Sequence, residues 1–211
     1  MSVYKDEHKI ISKLIIPELK RRKFFVKRSI KINQRIKKLV SEDVLSKDEL
    51  DMKHPGQPDI DLVFWNSNFR SSDPTIYAAE VKYFRNRKGK INYSFYAGLD
   101  EALALLTFGF DFICLWHFFD EGVETSPTSF LDNKNGSIMT YSGLVQEIVD
   151  KLKIPITYYY WMIAGPKSGG TNQLGDLIRA IALTSNKRNP FRTLPIIEAR
   201  RNIIRKALRI V

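Results

Sequence analysis

Apolar positions along the chain switch between helical and strand spacing in an order that predicts a layered fold. Ile10, Ile11, Leu14 and Ile15 share one face at helical spacing, which predicts a helix from about Tyr4 to Lys20 that Pro17 should kink or end. Phe24 to Ile30 has strand composition, and Ile32 to Val40 suits a short helix. The turn cluster Lys53 to Pro58 leads into a strand, Asp59 to Trp65. The polar stretch Asn66 to Pro74 then separates it from a second strand, Thr75 to Phe84, so the two predict a hairpin.

A helix is expected from about Tyr93 to Phe108, with Gly109 as its stop. Phe112 to Phe119 is almost wholly apolar, as in a strand covered on both faces. Leu144, Val145, Ile148, Val149 and Leu152 describe an amphipathic helix, and Ile156 to Ile163 another buried strand. Further helices are expected near Leu174 to Leu183 and, rich in basic residues, from about Pro195. The fold class expected is α/β, a single mixed sheet with helices on its faces. Residues 1–165 form the expected core domain, and 166–211 a basic helical extension packed on it.

Charge narrows the class of partner. Lys+Arg 34 against Asp+Glu 23 gives the 211-residue chain a formal net charge of +11. The excess is concentrated in Lys5 to Lys38, in Lys82 to Lys90 and in Lys187 to Arg209, whereas Asp100 to Asp150 is acidic. Segregated basic stretches favour a polyanionic partner, because each neutralised phosphate releases condensed counterions. A solvated Lys- and Arg-rich surface is the alternative. One cysteine, Cys114, excludes an internal disulfide and a four-thiolate metal site. No apolar run approaches a membrane span, and Met1 to Lys9 lacks the apolar core of a signal peptide, so a cytoplasmic protein without membrane contact is expected.

The chemistry-bearing residues are Pro58-Asp59, Asp61 and Glu80-Val81-Lys82. Strand side chains alternate, so Glu80 and Lys82 point one way and Val81 the other, while Asp59 and Asp61 share a face of the preceding strand. Pairing of the two strands then lets carboxylates from both converge on one ammonium. Carboxylate oxygens with water and a phosphate oxygen suit Mg²⁺ or Mn²⁺, which activates water and screens charge on a reacting phosphate. A cross-strand ion pair between Lys82 and Asp59 or Asp61 is the structural alternative.

With Pro58-Asp59 as one half and Glu80-Val81-Lys82 as the other, the chain resembles the PD-(D/E)xK nuclease superfamily over about Tyr4 to Phe119. Within it the small basic architecture is most similar to archaeal Holliday-junction resolvases, and the Ile- and Lys-rich composition is similar to that of crenarchaeal or crenarchaeal-virus proteins. The resemblance implies a restriction-endonuclease-like three-layer fold with a C-terminal helical extension. It implies a metal-dependent DNA endonuclease, on branched or recombination-type DNA, working as a homodimer through an apolar and basic C-terminal helix (Ile203, Ile204, Leu208, Ile210). The implied metal set is Glu80 and Val81 with Asp59 or Asp61, Asp59 preferred from its place after Pro58, while Lys82 is catalytic and Glu7 or Glu18 is added from the first helix, Glu7 preferred. Tyr96, Asp100 and Glu101 are the polar residues on the next helix that face the site under this scheme, and Arg85, Arg87, Lys88 and Lys90 grip phosphates. The alternative is a non-catalytic nucleic-acid-binding protein that keeps the fold.

Other patterns carry less. Ala164 to Thr171 lacks the Gly-Lys-Ser/Thr order of a phosphate-cradling loop. His8, His54 and His117 have no metal-ligand spacing; His117 and Cys114 are expected to be core residues. Tyr158-Tyr159-Tyr160-Trp161 should divide between core and surface.

Overall fold

The computed structural model describes residues 6–42, 59–66, 74–84, 97–120, 141–163 and 187–210. Helix α1 (Glu7–Ile10), a π-helical turn (Ile11–Ile15) and α2 (Ile16–Arg21) follow one another directly. Pro17 therefore does not end the helix. The chain absorbs it by widening the turn before it, where Ile16 N–H reaches back to Ile11 O. Next come β1 (Phe24–Ile30), α3 (Ile32–Ser41), β2 (Ile60–Asn66) and β3 (Ile76–Phe84). After them lie α4 (Leu99–Leu105), which tightens into a 3₁₀ turn at Leu106–Phe108, then β4 (Phe112–Asp120), α5 (Tyr141–Lys151) and β5 (Thr157–Ile163). A 3₁₀ turn (Pro190–Thr193) leads into α6 (Pro195–Leu208).

The five strands form one sheet in the order β1-β2-β3-β4-β5. β1, β2 and β3 are an antiparallel meander, whereas β4 and β5 add in parallel. Parallel addition needs a crossover, and α4 and α5 occupy those connections. The α/β class, the mixed sheet and the hairpin expected from sequence are all present. The helix placed at Tyr93 to Phe108 has its described helical part from Leu99, after a turn at Ala97-Gly98. The helix expected near Leu174 to Leu183 and the turn cluster Lys53 to Pro58 lie outside the described residues.

Strand alternation divides the core into two clusters. On β4, Cys114, Trp116 and Phe118 join Ile10, Ile11, Ile15 and Leu19 on one side. Ile113, Leu115 and Phe119 join residues of α3, α4, α5 and α6 on the other. The arrangement is compatible with three layers, helix–sheet–helix. Both faces of β4 are buried, which explains its unbroken apolar run.

The C-terminal helix departs from expectation. Ile203, Ile204, Leu208 and Ile210 are buried within this chain, so that apolar face is core and is not free for a second copy. Arg200 and Arg201, expected on a basic surface, are buried as well. Arg201 Nη1 donates to Asp111 Oδ2 at 2.9 Å and to Gly109 O at 3.1 Å, and Nη2 donates to Pro74 O at 3.0 Å. Asp111 also accepts from Ile76 N–H at 2.8 Å and faces Arg192 Nε at 2.8 Å. Gly109 (φ 81°) lies so close to this helix that an added Cβ would stand 2.7 Å from Ile197 O, which is why the predicted stop is glycine.

Removing one member of a buried pair leaves the other charge uncompensated. Asp111→Ala should therefore lower unfolding free energy by about 3 kcal/mol or more. Urea denaturation should show a smaller loss for Arg201→Met, because Asp111 keeps its other partners.

Candidate functional site

The β2–β3 ladder stops at Leu62↔Ala79, but β3 continues to Phe84 alongside β4. Beyond Ala79, carboxylates meet N–H groups of β3. Asp61 Oδ2 accepts from Val81 N–H at 2.9 Å, and Glu7 Oε1 accepts from Tyr83 N–H at 3.3 Å. Buried backbone donors need acceptors, and these two side chains supply them. Asp6 caps α1 by accepting from Lys9 N–H at 3.0 Å, and Glu7 follows it in the first helical turn.

Glu80 and Lys82 project from the same face of β3, as alternation requires, and Val81 is buried in the opposite cluster. Lys82 Nζ lies 2.7 Å from Glu80 Oε1 and 2.5 Å from Glu101 Oε2 on α4. Glu80 is also hydrogen-bonded to Asp61. Four acids from α1, β2, β3 and α4 thus act on one lysine.

Gly98 makes the close approach of α4 possible. It adopts φ 77°, and a Cβ there would meet Lys82 Cε at 2.9 Å, Leu115 Cδ1 at 3.0 Å and Glu80 Cγ at 3.1 Å. The turn is held from below by His117. That residue is fully buried and pairs in register with Lys82. A carbonyl only accepts, so His117 Nε2–H donates to Ala97 O at 2.9 Å, leaving Nδ1 to accept from Tyr158 O–H at 3.0 Å. Burial, chiefly, pushes the imidazole down to about 4, so it is neutral at ordinary pH.

Electrostatics follow from crowding. Glu80, 3% exposed, is pushed up to about 9 by burial and then by the Asp61 charge, against the pull of Lys82. Burial also raises Asp61, opposed by the Val81 N–H and by Lys82. Glu7 is raised by burial as well, with Lys82 and the Tyr83 N–H opposing. Burial alone would lower the Lys82 amine, but its bonds to Glu101 and Glu80 outweigh that and hold it above its ordinary range. Crowding therefore favours the protonated carboxyl at Glu80, and Lys82 remains an ammonium.

Of the residues expected from sequence, Glu7, Asp61, Glu80 and Lys82 are brought together, and Glu101 joins them. Val81 takes part through its N–H. Asp59 is exposed just before β2, and Asp61 rather than Asp59 meets Glu80. Glu18 is committed elsewhere, to Arg21 and Arg22. Asp100 is exposed; Tyr96 and the phosphate-gripping set Arg85, Arg87, Lys88 and Lys90 lie outside the described residues. Sequence reasoning missed Gly98. Its signal was a glycine inside an otherwise helical pattern, which marks a packing constraint.

Comparison with protein-family models, with curated proteins and with solved structures finds no match to this chain. Among the described residues, no group of three or more His, Cys, Asp or Glu side chains already stands ready to hold a metal ion. The acids are drawn instead onto Lys82, onto β3 N–H groups and onto each other. In donor chemistry the group nevertheless fits a hard divalent cation, being all carboxylate oxygen and crowded enough to retain a proton at neutral pH.

The raised carboxyls fix the direction of the pH response. In the folded protein Glu80 titrates near 9, against an ordinary 4.5, so the fold binds more protons than the unfolded chain between those values. Without divalent ions, stability should be full below the lower value and fall as pH rises through the window. Urea midpoints measured at intervals across it should decline for the wild type and flatten in Glu80→Gln. An equally steep decline in that variant would move the retained proton to another group.

Proposed function

We propose that the protein is a metal-dependent DNA endonuclease, hydrolysing phosphodiester bonds at the Glu7, Asp61, Glu80, Lys82 and Glu101 cluster. The observation that carries this reading is the convergence of Asp61 and Glu80 from adjacent strands, hydrogen-bonded to each other, beside Lys82, whose Nζ lies 2.7 Å from Glu80 Oε1. The formal charge of +11 suits a polyanionic substrate.

Asp61 and Glu80 would hold Mg²⁺ or Mn²⁺, and such an ion supplies an activated water and a counter-charge for the reacting phosphate. Lys82 acts by charge. Held above its ordinary range by Glu101 and Glu80, it does not serve as a base; its ammonium stabilises negative charge on phosphate oxygens as phosphorus is attacked and one ester oxygen leaves. Glu101 and the Ala97-Gly98 turn position Lys82. Glu7 adds a half-buried carboxylate on the α1 side. Branched or recombination-type DNA is the substrate class implied by the resemblance to Holliday-junction resolvases.

A second reading has its own support. Lys82 already has two carboxylate partners, and Asp61 and Glu7 already have backbone donors, as in a cluster that only stabilises the fold of a DNA-binding protein. Linear, nicked, flapped and four-way DNAs incubated with Mg²⁺ or Mn²⁺ separate the two. Under the nuclease reading, Asp61→Asn, Glu80→Gln and Lys82→Met each lower the cleavage rate roughly 100-fold or more with DNA affinity largely kept. Absence of cleavage on every substrate with either ion, from folded wild-type protein, would leave the binding-only reading.

A further inference from the structure

Away from the acid–lysine cluster, a cationic corner stands at the open edge of the sheet. β1 is an edge strand, and Phe25 and Lys27 lie on one of its faces. Phe25 stacks on Trp65 of β2 with ring centroids 5.5 Å apart, and Lys27 Nζ lies 5.9 Å from the Trp65 ring centroid. Lys27 also donates to Leu208 O at the end of α6. The next residue, Arg209, is fixed there by a left-handed cap in which Arg209 N–H bonds Lys206 O and Ile210 N–H bonds Arg205 O. Arg35 enters from α3, which packs against α6.

Three cations from three elements are thereby gathered on one spot. Burial and the charges of Arg35 and Arg209 together lower the Lys27 amine from its ordinary value. Among the described residues, no carboxylate pairs with Lys27, Arg35 or Arg209. Gathered like charges repel, and a shared anion removes the repulsion. The adjoining Phe25 ring is 52% exposed, although it is large and apolar, and Trp65 supports it from behind.

We propose that this corner holds a DNA strand, with phosphates on Lys27, Arg35 and Arg209 and an unpaired base stacked on Phe25. The inference rests on the reading of the protein as one that acts on DNA, and it adds where a strand runs and in what state. Ring stacking needs a free base face, which a single strand or an opened branch offers and a continuous duplex hides. Clustered cations beside a supported aromatic ring meet both demands of a single strand.

Binding is measured by fluorescence anisotropy in EDTA, on a single-stranded oligonucleotide and a blunt hairpin duplex, across a salt series. Lys27→Gln/Arg35→Gln/Arg209→Gln is compared with Lys9→Gln/Lys13→Gln/Lys20→Gln, which removes equal charge from exposed positions on the helices across the sheet. The corner variant should flatten the log–log salt slope on single strand by about 2, from three contacts at about 0.7 each, and the control by less. The double variant Arg35→Gln/Arg209→Gln leaves the Lys27 bond to Leu208 intact and should flatten it by about 1.4. Phe25→Ala should weaken single-strand binding about five-fold or more, with the duplex nearly unchanged.

Equal slopes for corner and control variants, or equal effects of Phe25→Ala on both DNAs, would overturn the inference. Cleavage activity with binding indifferent to the corner overturns it alone. Corner-dependent binding without cleavage of any DNA overturns the nuclease reading alone.

Discussion

Everything at the candidate site depends on where β2 stops pairing with β3. An antiparallel ladder that ran the full length of β3 would satisfy the Val81 and Tyr83 N–H groups with backbone carbonyls. Here it ends at Leu62↔Ala79, and Asp61 and Glu7 act as the acceptors instead. A buried unsatisfied N–H costs about 1–3 kcal/mol. Each acid therefore has a structural reason to be where it is, independent of any reaction. The same hydrogen bonds aim both carboxylates towards Glu80 and Lys82. The break in the ladder thus creates the site and stabilises it in one arrangement.

The charge balance of the cluster follows from that geometry. One ammonium faces Glu7, Asp61, Glu80 and Glu101, so the acids outnumber the cation. Water relieves little of the excess at Glu80, which is almost fully buried, and a proton is retained there. Glu101 is more exposed and holds Lys82 at 2.5 Å. The arrangement therefore separates its carboxyls by environment: an outer one that fixes the lysine and an inner pair whose crowding favours a retained proton.

The order of helices and strands was legible because hydrophobic period changes along the chain report directly on burial. The facing of Glu80 and Lys82 was legible for the same reason, through strand alternation. The choice between Asp59 and Asp61 was not, since both share a parity and only the end point of the ladder distinguishes them. Glu101 stood among three polar residues on a predicted helix, and its selection required the closeness that Gly98 permits. Charge patterning misled at Arg200 and Arg201, because a sequence shows the sign of a residue but not the distant acid that buries it. Asp111 lies 90 positions from Arg201. Likewise, Ile203, Ile204, Leu208 and Ile210 read as a sticky face only while the sheet that covers them is out of view.

That burial changes what α6 is. Arg201 ties it to Asp111 and Gly109 between α4 and β4, Lys27 ties its last carbonyl to the edge strand, and its apolar residues complete the cluster shared with α3, α4 and α5. With such contacts α6 shares the core of the domain, as a segment packed on it does. The fold then couples its two cationic features. The Arg201–Asp111 pair anchors the middle of α6 beside Gly109, and the C-terminal end carries Arg209 next to the carbonyl that Lys27 holds. One helix thus joins a cation buried against Asp111 to the cations beside β1, in a chain whose net charge of +11 favours a polyanion.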